Sequence, residues 1–295
     1  MKTVKGYIKR KSMLYVTGVE YGDYTINHVL GCAHGCKYPC YAFLMKKRFG
    51  QVASYEEWLE PYLVSNTLEI LDREIPRLKD KITSVQLCFT TDPFMYGYDE
   101  IEKISLAAIK KLNDANIKCT VLTKGLLPTV LDNYSKDNEY GITLNSMDEN
   151  YRARIEPGAA SYKDRLAALN ALHDKGCKTW VSVEPYPTPN LIKQDLGAIL
   201  EAIAFTDKII FGRTNYSKEV SAFAEHRAFY NEQAERVIAF CTERDIQFHI
   251  KDGTISGFKI SEADDFWDQH SLDKFDDKPE DVHVECVRDN SVLPV

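Results

Sequence analysis

The sequence predicts one large α/β domain, a barrel of parallel strands, followed by an acidic tail. Strand and helix patterns alternate along the chain, which is typical of βαβ units and a parallel sheet. Small polar or charged residues follow six successive predicted strands, and no repeat or linker interrupts the pattern before residue 255. A chain of 295 residues that is 44% hydrophobic can bury the core that such a domain needs.

The predicted elements are regularly spaced. The strands are short apolar or alternating runs at 24–30, 84–90, 118–123, 140–146, 178–183, 207–211 and 246–250. The helices lie between them at 54–79, 100–115, 126–134, 161–175, 190–204 and 219–244. The 161–175 helix has the clearest ends, because Ser161 and Asp164 form an N-terminal capping pattern and Gly176 ends it.

Charge divides the chain into a barrel at 1–255 and an acidic C-terminal extension at 256–295. Residues 261–295 hold 11 acidic and 3 basic residues, whereas the rest hold 33 acidic and 34 basic. Nucleic acid therefore stays open as a partner, but without the basic face that would support it. No run of 18 apolar residues and no secretory signal is present, so we expect a cytoplasmic protein with no membrane partner.

Three of the eight cysteines, Cys32, Cys36 and Cys40, fall within nine residues after the first predicted strand. In a cytosolic chain such a cluster indicates metal binding rather than disulfides. An iron–sulfur cubane ordinarily takes four cysteines, so three would leave one iron open for a substrate or cofactor. The alternatives are buried structural thiols or a zinc site with His28 or His34 as fourth ligand. Zinc sites usually have a distant second ligand pair, which the sequence lacks.

Polar motifs follow the later strands. In barrels the active site forms where the strands end and the βα loops begin, so we expect these motifs to build one site. In order they are Thr90-Thr91-Asp92-Pro93, Thr123-Lys124-Gly125, Asn145-Ser146, Glu184-Pro185 and Gly212-Arg213-Thr214-Asn215-Tyr216.

The segment 27–42, NHVLGCAHGCKYPCYA, resembles the cluster motif of the radical S-adenosylmethionine (SAM) enzymes. The resemblance is to the spore photoproduct lyase-like branch, whose pattern runs G-C-x-H-G-C-x-Y-C-Y-A. Over residues 24–255 further segments resemble this branch in the same order and strand context. They are Thr91-Asp92-Pro93-Phe94, Leu122-Thr123-Lys124, Glu156-Pro157 with Arg165-Leu166, Val183-Glu184-Pro185 and Ile210-Phe211-Gly212-Arg213-Thr214-Asn215-Tyr216.

The cluster motif departs from the family at one position. The family spacing is Cys-x₃-Cys-x₂-Cys, and Pro39 makes this one Cys-x₃-Cys-x₃-Cys. Because a proline disfavours helical geometry at the residue before it, we expect a bulge at Tyr38–Pro39 and a helical turn that begins after Cys40.

The resemblance implies an incomplete (β/α)₆-type TIM barrel of the radical SAM kind. Cys32, Cys36 and Cys40 would hold a [4Fe–4S] cluster whose fourth iron chelates SAM. Reduction by an electron donor such as flavodoxin or ferredoxin would cleave SAM to a 5′-deoxyadenosyl radical, which abstracts hydrogen from a substrate. The substrate is not identified, and a nucleobase or nucleic-acid lesion is the class that the branch suggests.

The resemblance also gives roles to the residues that follow the strands. Lys124 would pair with the SAM carboxylate, and Glu184 would accept from the ribose hydroxyls. Gly212 would let the backbone approach the adenine, beside which Tyr38 or Tyr41 would stack. The other cofactor-binding residues are Thr90, Thr91 and Asp92 at the methionine ammonium group, Asn145 and Ser146 at the methionine or ribose, and Arg213 and Asn215.

Cys88 is the candidate catalytic residue. By strand alternation it shares a face with Gln86 and Thr90, toward the barrel lumen. There it would return hydrogen to a substrate radical, as a cysteine does in the spore photoproduct lyase group. The alternative is a buried core thiol, the more common state of a free cysteine.

Two other classes of function stay open. One is a non-catalytic iron–sulfur or zinc-binding module that acts through a partner protein. The other is a TIM-barrel hydrolase or isomerase with incidental thiols, for which we find neither a paired acid–base set nor a phosphate-binding loop.

Overall fold

The computed structural model describes residues 2–19 and 22–257, so the predicted acidic extension lies outside the described residues from 258 onward. The strands are β1 (Gly6–Ile8), β2 (Tyr15–Val16), β3 (Tyr24–Ile26), β4 (Val29–Leu30), β5 (Tyr62–Val64), β6 (Ser84–Leu87), β7 (Lys118–Thr123), β8 (Glu139–Thr143), β9 (Lys178–Tyr186), β10 (Lys208–Arg213) and β11 (Gln247–Ile250). The helices are α1 (Tyr41–Arg48), α2 (Tyr55–Trp58), α3 (Thr67–Leu78), α4 (Asp99–Asp114), α5 (Glu149–Ile155), α6 (Tyr162–His173), α7 (Leu196–Ala202), α8 (Lys218–Ser221) and α9 (His226–Glu243).

The main sheet is an open barrel wall. Its strands lie in the order β11-β10-β9-β8-β7-β6-β3-β2, and all neighbours are parallel except β2 and β3. Among the described residues no pairing joins β11 to β2, so the sheet does not close. Six connections link the seven parallel strands, which confirms the expected incomplete (β/α)₆-type barrel.

Several predicted elements are divided in the structure. The predicted strand 24–30 becomes β3 and β4, because β4 leaves the main sheet and pairs with β5 in a small sheet of order β1-β5-β4. The predicted helix 54–79 becomes α2, β5 and α3, with Pro61 directly before the strand. The segment 126–134 forms only a 3₁₀ turn at Thr129–Asn133, and 219–244 is divided between α8 and α9.

One continuous core lies between the sheet and the helices. Alternate residues of the central strands, among them Val121, Ile142 and Val181, are fully buried and pack against α4, α6, α7 and α9. The residues between them therefore face the other side, the barrel lumen. This alternation places one face of each strand in the core and leaves the strand ends to build a site.

The lumen face contains one very close contact. Gly141 of β8 and Trp180 of β9 are register partners, and the indole of Trp180 lies over Gly141. A Cβ on residue 141 would lie 2.3 Å from the Trp180 ring, so only glycine leaves room for the indole.

We expect Gly141→Ala to lower the free energy of unfolding by about 1–3 kcal/mol, because the added methyl group forces the indole to move. Chemical denaturation measures the loss. Gly18→Ala is the matched control, since a Cβ there would have nothing within 4 Å. Equal unfolding free energies for the two variants would show that the indole moves aside at no cost.

Candidate active site

The three clustered cysteines lie on the cysteine loop, which we define as residues 31–40 between β4 and α1. Cys40 is the N-cap of α1, so the helix begins directly after it, as expected from the sequence. Cys32, Cys36 and Cys40 are half-buried, whereas the other described cysteines are buried. The clustered thiols therefore differ from ordinary core cysteines.

One side of the cysteine loop rests on the segment around α2. The Cys32 amide donates to the Trp58 carbonyl at 2.7 Å, and the Tyr55 hydroxyl donates to the Cys36 carbonyl at 2.6 Å. Gly31 has a φ of 90°, and a Cβ there would lie 2.9 Å from the Trp58 carbonyl oxygen. A glycine is therefore required where the loop begins.

The other side of the cysteine loop rests on the turn after α5. The Lys37 amide donates to the Ile155 carbonyl at 2.8 Å, and the Gly158 amide donates to the His34 carbonyl at 2.9 Å. A Cβ on Gly158 would lie 2.0 Å from the Ala33 carbonyl oxygen. Two segments that are distant in sequence thus hold the loop from both sides.

The thiols of the loop affect one another electrostatically. Burial raises the pKa of Cys32 well above its usual value, and Cys36 and Cys40 raise it further. Burial also raises the pKa of Cys36 to about 12, although Lys124 opposes the shift. Without a metal these two thiols are protonated, so a metal that binds them as thiolates displaces protons. Three neighbouring soft donors with an accessible side fit an iron–sulfur cluster.

The zinc alternative needs one of the histidines as a ligand. Both nitrogens of His28 are engaged, Nε2 at 2.7 Å from Ser105 Oγ and Nδ1 at 3.4 Å from Cys88 Sγ. His34 Nε2 lies 2.8 Å from Asp92 Oδ2. Within residues 2–19 and 22–257, no three His, Cys, Asp or Glu side chains are arranged to hold a metal ion. Cluster thiolates each bind a different iron, so they need not meet at one point.

Asp92 connects the cysteine loop to the ends of β6 and β7. Its buried carboxylate accepts from the amides of Phe94 and Lys124, both at 2.8 Å, and from the Thr123 hydroxyl at 2.7 Å. His34 is the fourth partner. Burial opposes ionisation, but these partners hold the pKa of Asp92 below its usual value. These four partners occupy the acceptor positions of a carboxylate, so within this chain Asp92 has a structural role. Its predicted contact with the SAM ammonium group stays a prediction.

A buried ion pair lies behind the loop. Arg165 Nη2 is 2.8 Å from Glu156 Oε2, and both side chains are fully buried. The Tyr38 hydroxyl donates to the other carboxylate oxygen at 2.9 Å, and the Lys124 ammonium group lies 5.8 Å from the centre of the Tyr38 ring. No individual role was predicted for Glu156 or Arg165 from the sequence. Its one signal was that both belong to segments that resemble the family.

Lys124 keeps its charge in this environment. Burial would lower its pKa, but Cys36 and Glu156 raise it above the usual value of a lysine. Because Arg165 already neutralises Glu156, the Lys124 ammonium group is available for a further anion.

The two tyrosines predicted near the adenine have different surroundings. Tyr38 belongs to the Glu156 network, whereas the Tyr41 hydroxyl donates to the Phe89 carbonyl at 2.5 Å. An adenine contact stays a prediction for both.

The alternation from which the lumen orientation of Cys88 was predicted does not extend to this residue, and its role as a hydrogen donor stays a prediction. β6 ends at Leu87, and Cys88 has a φ of 50°, which breaks the alternation. Because the Ser105 hydroxyl donates to the Pro93 carbonyl, His28 donates to Ser105 and accepts from the Cys88 thiol. The side chain packs with Val29, Leu63, Met95 and Ile101. A buried core thiol, the alternative stated above, fits these surroundings better than a hydrogen donor to substrate.

The other predicted residues after β6 and β8 are partly engaged. The hydroxyls of Thr90 and Thr91 donate to Asn27 Oδ1 at 3.0 Å and to the Val29 carbonyl at 3.4 Å, which leaves their oxygens as acceptors. Asn145 is fully buried, and its Nδ2 makes no hydrogen bond with any described residue. Its neighbour Ser146 accepts from the Asp148 amide at 3.1 Å.

The residues after β9 and β10 also lie together. Glu184 Oε2 is 3.2 Å from Lys251 Nζ, and a Cβ on Gly212 would lie 3.0 Å from Cγ and Cδ of Glu184. The position that a Cβ of residue 212 would take is therefore filled by Glu184, and the approach of the Gly212 backbone to the adenine stays a prediction. Arg213 Nε donates to Asn215 Oδ1 at 2.8 Å.

Comparison with known proteins shows the family to which the chain belongs. A model of the radical SAM superfamily matches residues 26–203, more than half of the chain. The chain belongs to the radical SAM superfamily. It is 27% identical over 210 residues to the uncharacterized protein ORF301 of Acidianus two-tailed virus (66% of this chain, 68% of the relative). It is 29% identical over 188 residues to the uncharacterized protein MJ0683 of Methanocaldococcus jannaschii (63% and 68%).

Solved structures show the same fold. A spore photoproduct lyase variant matches with a TM-score of 0.60 and 15% identity, over 83% of this chain and 80% of that one. A spore photoproduct lyase complexed with dinucleoside spore photoproduct matches with a TM-score of 0.55 and 15% identity, over 82% and 80%.

As a radical SAM protein the chain is an enzyme that uses a [4Fe–4S] cluster and SAM, and it needs a reductant and a substrate. The family membership, the fold and the cofactors expected from the sequence are thereby confirmed. No helix in the described ranges has the length and apolar character needed to cross a membrane.

We expect Arg165→Met to lower the free energy of unfolding by about 3–5 kcal/mol, because it leaves the Glu156 carboxylate buried without its partner. Lys110→Met is the control, since its ion pair with Asp114 has side chains 68% and 63% exposed and is worth at most about 1 kcal/mol. Urea denaturation of both variants makes the comparison. Losses of similar size would contradict a structural role for the buried pair.

Proposed function

We propose that Cys32, Cys36 and Cys40 hold the [4Fe–4S] cluster and that the strand ends beside them bind SAM for hydrogen abstraction from a substrate. When bound, the cluster supplies the electron that cleaves SAM to methionine and the abstracting 5′-deoxyadenosyl radical. The observation that carries the proposal is that the Asp92 carboxylate joins the cysteine loop to Thr123 and Lys124, with the Lys124 charge near enough to Cys36 to affect the pKa of its thiol.

Lys124 is the residue that we assign to the SAM carboxylate. Its ammonium group is half-buried beside Cys36, and the nearby Glu156 charge is balanced by Arg165. A partly desolvated cation with no dedicated anion partner binds a carboxylate more strongly than an exposed one does.

The other polar groups supply both hydrogen-bond acceptors and hydrogen-bond donors for SAM. The methionine ammonium group needs acceptors, which the Thr90 and Thr91 hydroxyl oxygens provide. Asn145 Nδ2 is a buried donor with no hydrogen-bond partner among the residues that the structure describes, and a SAM oxygen would satisfy it. Ser146 lies directly beside Asn145, and we assign it to the same methionine or ribose contact.

We further propose a nucleobase or nucleic-acid lesion as substrate, a flavodoxin or ferredoxin as electron donor, and the cytoplasm as the place of action. The substrate proposal has support from the shared fold with a lyase complexed with dinucleoside spore photoproduct. That dinucleoside is the first substrate to assay, with product formation followed by mass spectrometry.

We expect Cys32→Ala, Cys36→Ala and Cys40→Ala each to abolish the cluster. After anaerobic reconstitution, iron and sulfide should fall from about four of each per chain to near zero, because two remaining thiolates do not hold a cubane. Cys119→Ala is the control, since Cys119 is a buried core thiol, and it should retain the cluster. Wild-type protein that takes up zinc and stays colourless would overturn the proposal.

Replacing Lys124 by methionine should raise the Kd for SAM by more than about tenfold and leave the iron content unchanged, because it removes one partner of a desolvated charge pair. Equilibrium dialysis with the cluster-loaded, unreduced enzyme measures the change without turnover. Lys110→Met, a surface lysine on α4, should bind SAM like wild type. Equal affinities for the Lys124 and Lys110 variants would remove Lys124 from the site.

A further inference from the structure

Three adjacent parallel strands bring Glu184, Gly212 and Lys251 to the same end of the barrel. Glu184 lies near the end of β9, Gly212 near the end of β10, and Lys251 directly after β11. The Lys251 amide donates to the Phe211 carbonyl at 2.9 Å, which extends the β10–β11 ladder by one bond. The backbone therefore fixes where the Lys251 side chain begins.

The side chains of the two outer strands meet across the middle one. Lys251 Nζ lies 3.2 Å from Glu184 Oε2, and the aliphatic parts of both side chains cross β10 at Gly212. A Cβ on residue 212 would lie 3.0 Å from Cγ and Cδ of Glu184 and 3.2 Å from Cδ of Lys251. The ion pair thus needs a glycine beneath it.

The ion pair is also partly shielded from solvent. The Lys251 and Glu184 side chains are 23% and 20% exposed, whereas those of the exposed pair Lys110–Asp114 are 68% and 63% exposed. A pair in this position orients its carboxylate more firmly than an exposed pair, in which both side chains change rotamer freely.

We propose that Lys251 is a positioning residue for SAM: it holds the Glu184 carboxylate over Gly212 in the orientation in which Glu184 accepts the ribose hydroxyls. The inference rests on the proposed function and on the role that the family resemblance predicts for Glu184 at the ribose hydroxyls. Lys251 itself lies outside residues 26–203, the segment that the superfamily model matches. It directly follows β11, the strand at one open edge of the sheet.

Positioning and simple charge predict opposite effects. SAM has a sulfonium and an ammonium group against one carboxylate, so it is a cation overall. By Coulomb's law alone, removal of the Lys251 charge would strengthen the attraction between the site and SAM. If Lys251 acts by orienting Glu184, its removal frees a side chain that SAM must then order, and SAM binds more weakly.

The test is the Kd for SAM of the cluster-loaded, unreduced enzyme, with iron content measured for every variant. We expect Glu184→Gln to weaken binding about tenfold or more, since it removes a charged hydrogen-bond acceptor. Lys251→Met should weaken it about two- to tenfold, the cost of ordering one side chain, and Lys251→Arg should restore it. Gly212→Ala should resemble Lys251→Met, and Gly18→Ala should resemble wild type.

The double variant Glu184→Gln/Lys251→Met distinguishes positioning from a general structural effect. If Lys251 acts through Glu184, the double variant binds SAM no more weakly than Glu184→Gln alone. The proposal would be overturned if the two single-variant losses of SAM affinity multiply in the double variant. It would also be overturned if Lys251→Met bound SAM more tightly than wild type.

The same variants distinguish a failure of this inference from a failure of the proposed function. Weaker binding by Glu184→Gln with unchanged binding by Lys251→Met overturns the role of Lys251 alone. Unchanged binding by both Glu184→Gln and Lys124→Met overturns the proposed SAM site itself.

Discussion

The arrangement of the site depends on one buried carboxylate, that of Asp92. A buried charge is costly unless hydrogen bonds satisfy it, and Asp92 takes its partners from three different parts of the chain. The cysteine loop contributes His34, the end of β7 contributes Thr123 and Lys124, and its own turn contributes the Phe94 amide. Any separation of these segments would leave the charge unsatisfied. The same interaction therefore holds the cysteine loop against the end of β7, where Lys124 lies.

A second group of charges, the Arg165–Glu156 ion pair, lies beside Asp92 and has a different role. Arg165 and Glu156 neutralise each other in the interior, and Arg165 also donates to the carbonyls of Ala160 and Thr143 at the end of β8. This pair fixes the turn that supports the cysteine loop. Because it is neutral as a unit, it leaves the Lys124 ammonium group as an unbalanced charge at the site. The structural charges of Arg165 and Glu156 are thus on different side chains from the Lys124 charge that we assign to SAM.

Local patterns predicted the elements whose ends are set by nearby residues. The 118–123 strand matches β7, and Ser161 caps α6 through the Asp164 amide, as its capping pattern required. The errors come from long-range contacts. The 24–30 strand divides because β4 pairs with β5 far along the chain. The positive φ of Cys88 and the Glu184 side chain beside Gly212 are likewise not visible in the sequence.

The extra residue Pro39 shows how the loop departs from the family spacing and still presents three thiols together. On one side of it the Lys37 amide is bonded to Ile155 and the Tyr38 hydroxyl to Glu156. On the other side Cys40 caps α1, and the helix begins at Tyr41. Both flanks are therefore fixed, and the added residue has to be accommodated between them. Pro39 has no amide hydrogen and so leaves no donor unsatisfied there. The thiols remain close enough to raise one another's pKa, as Cys36 and Cys40 do for Cys32.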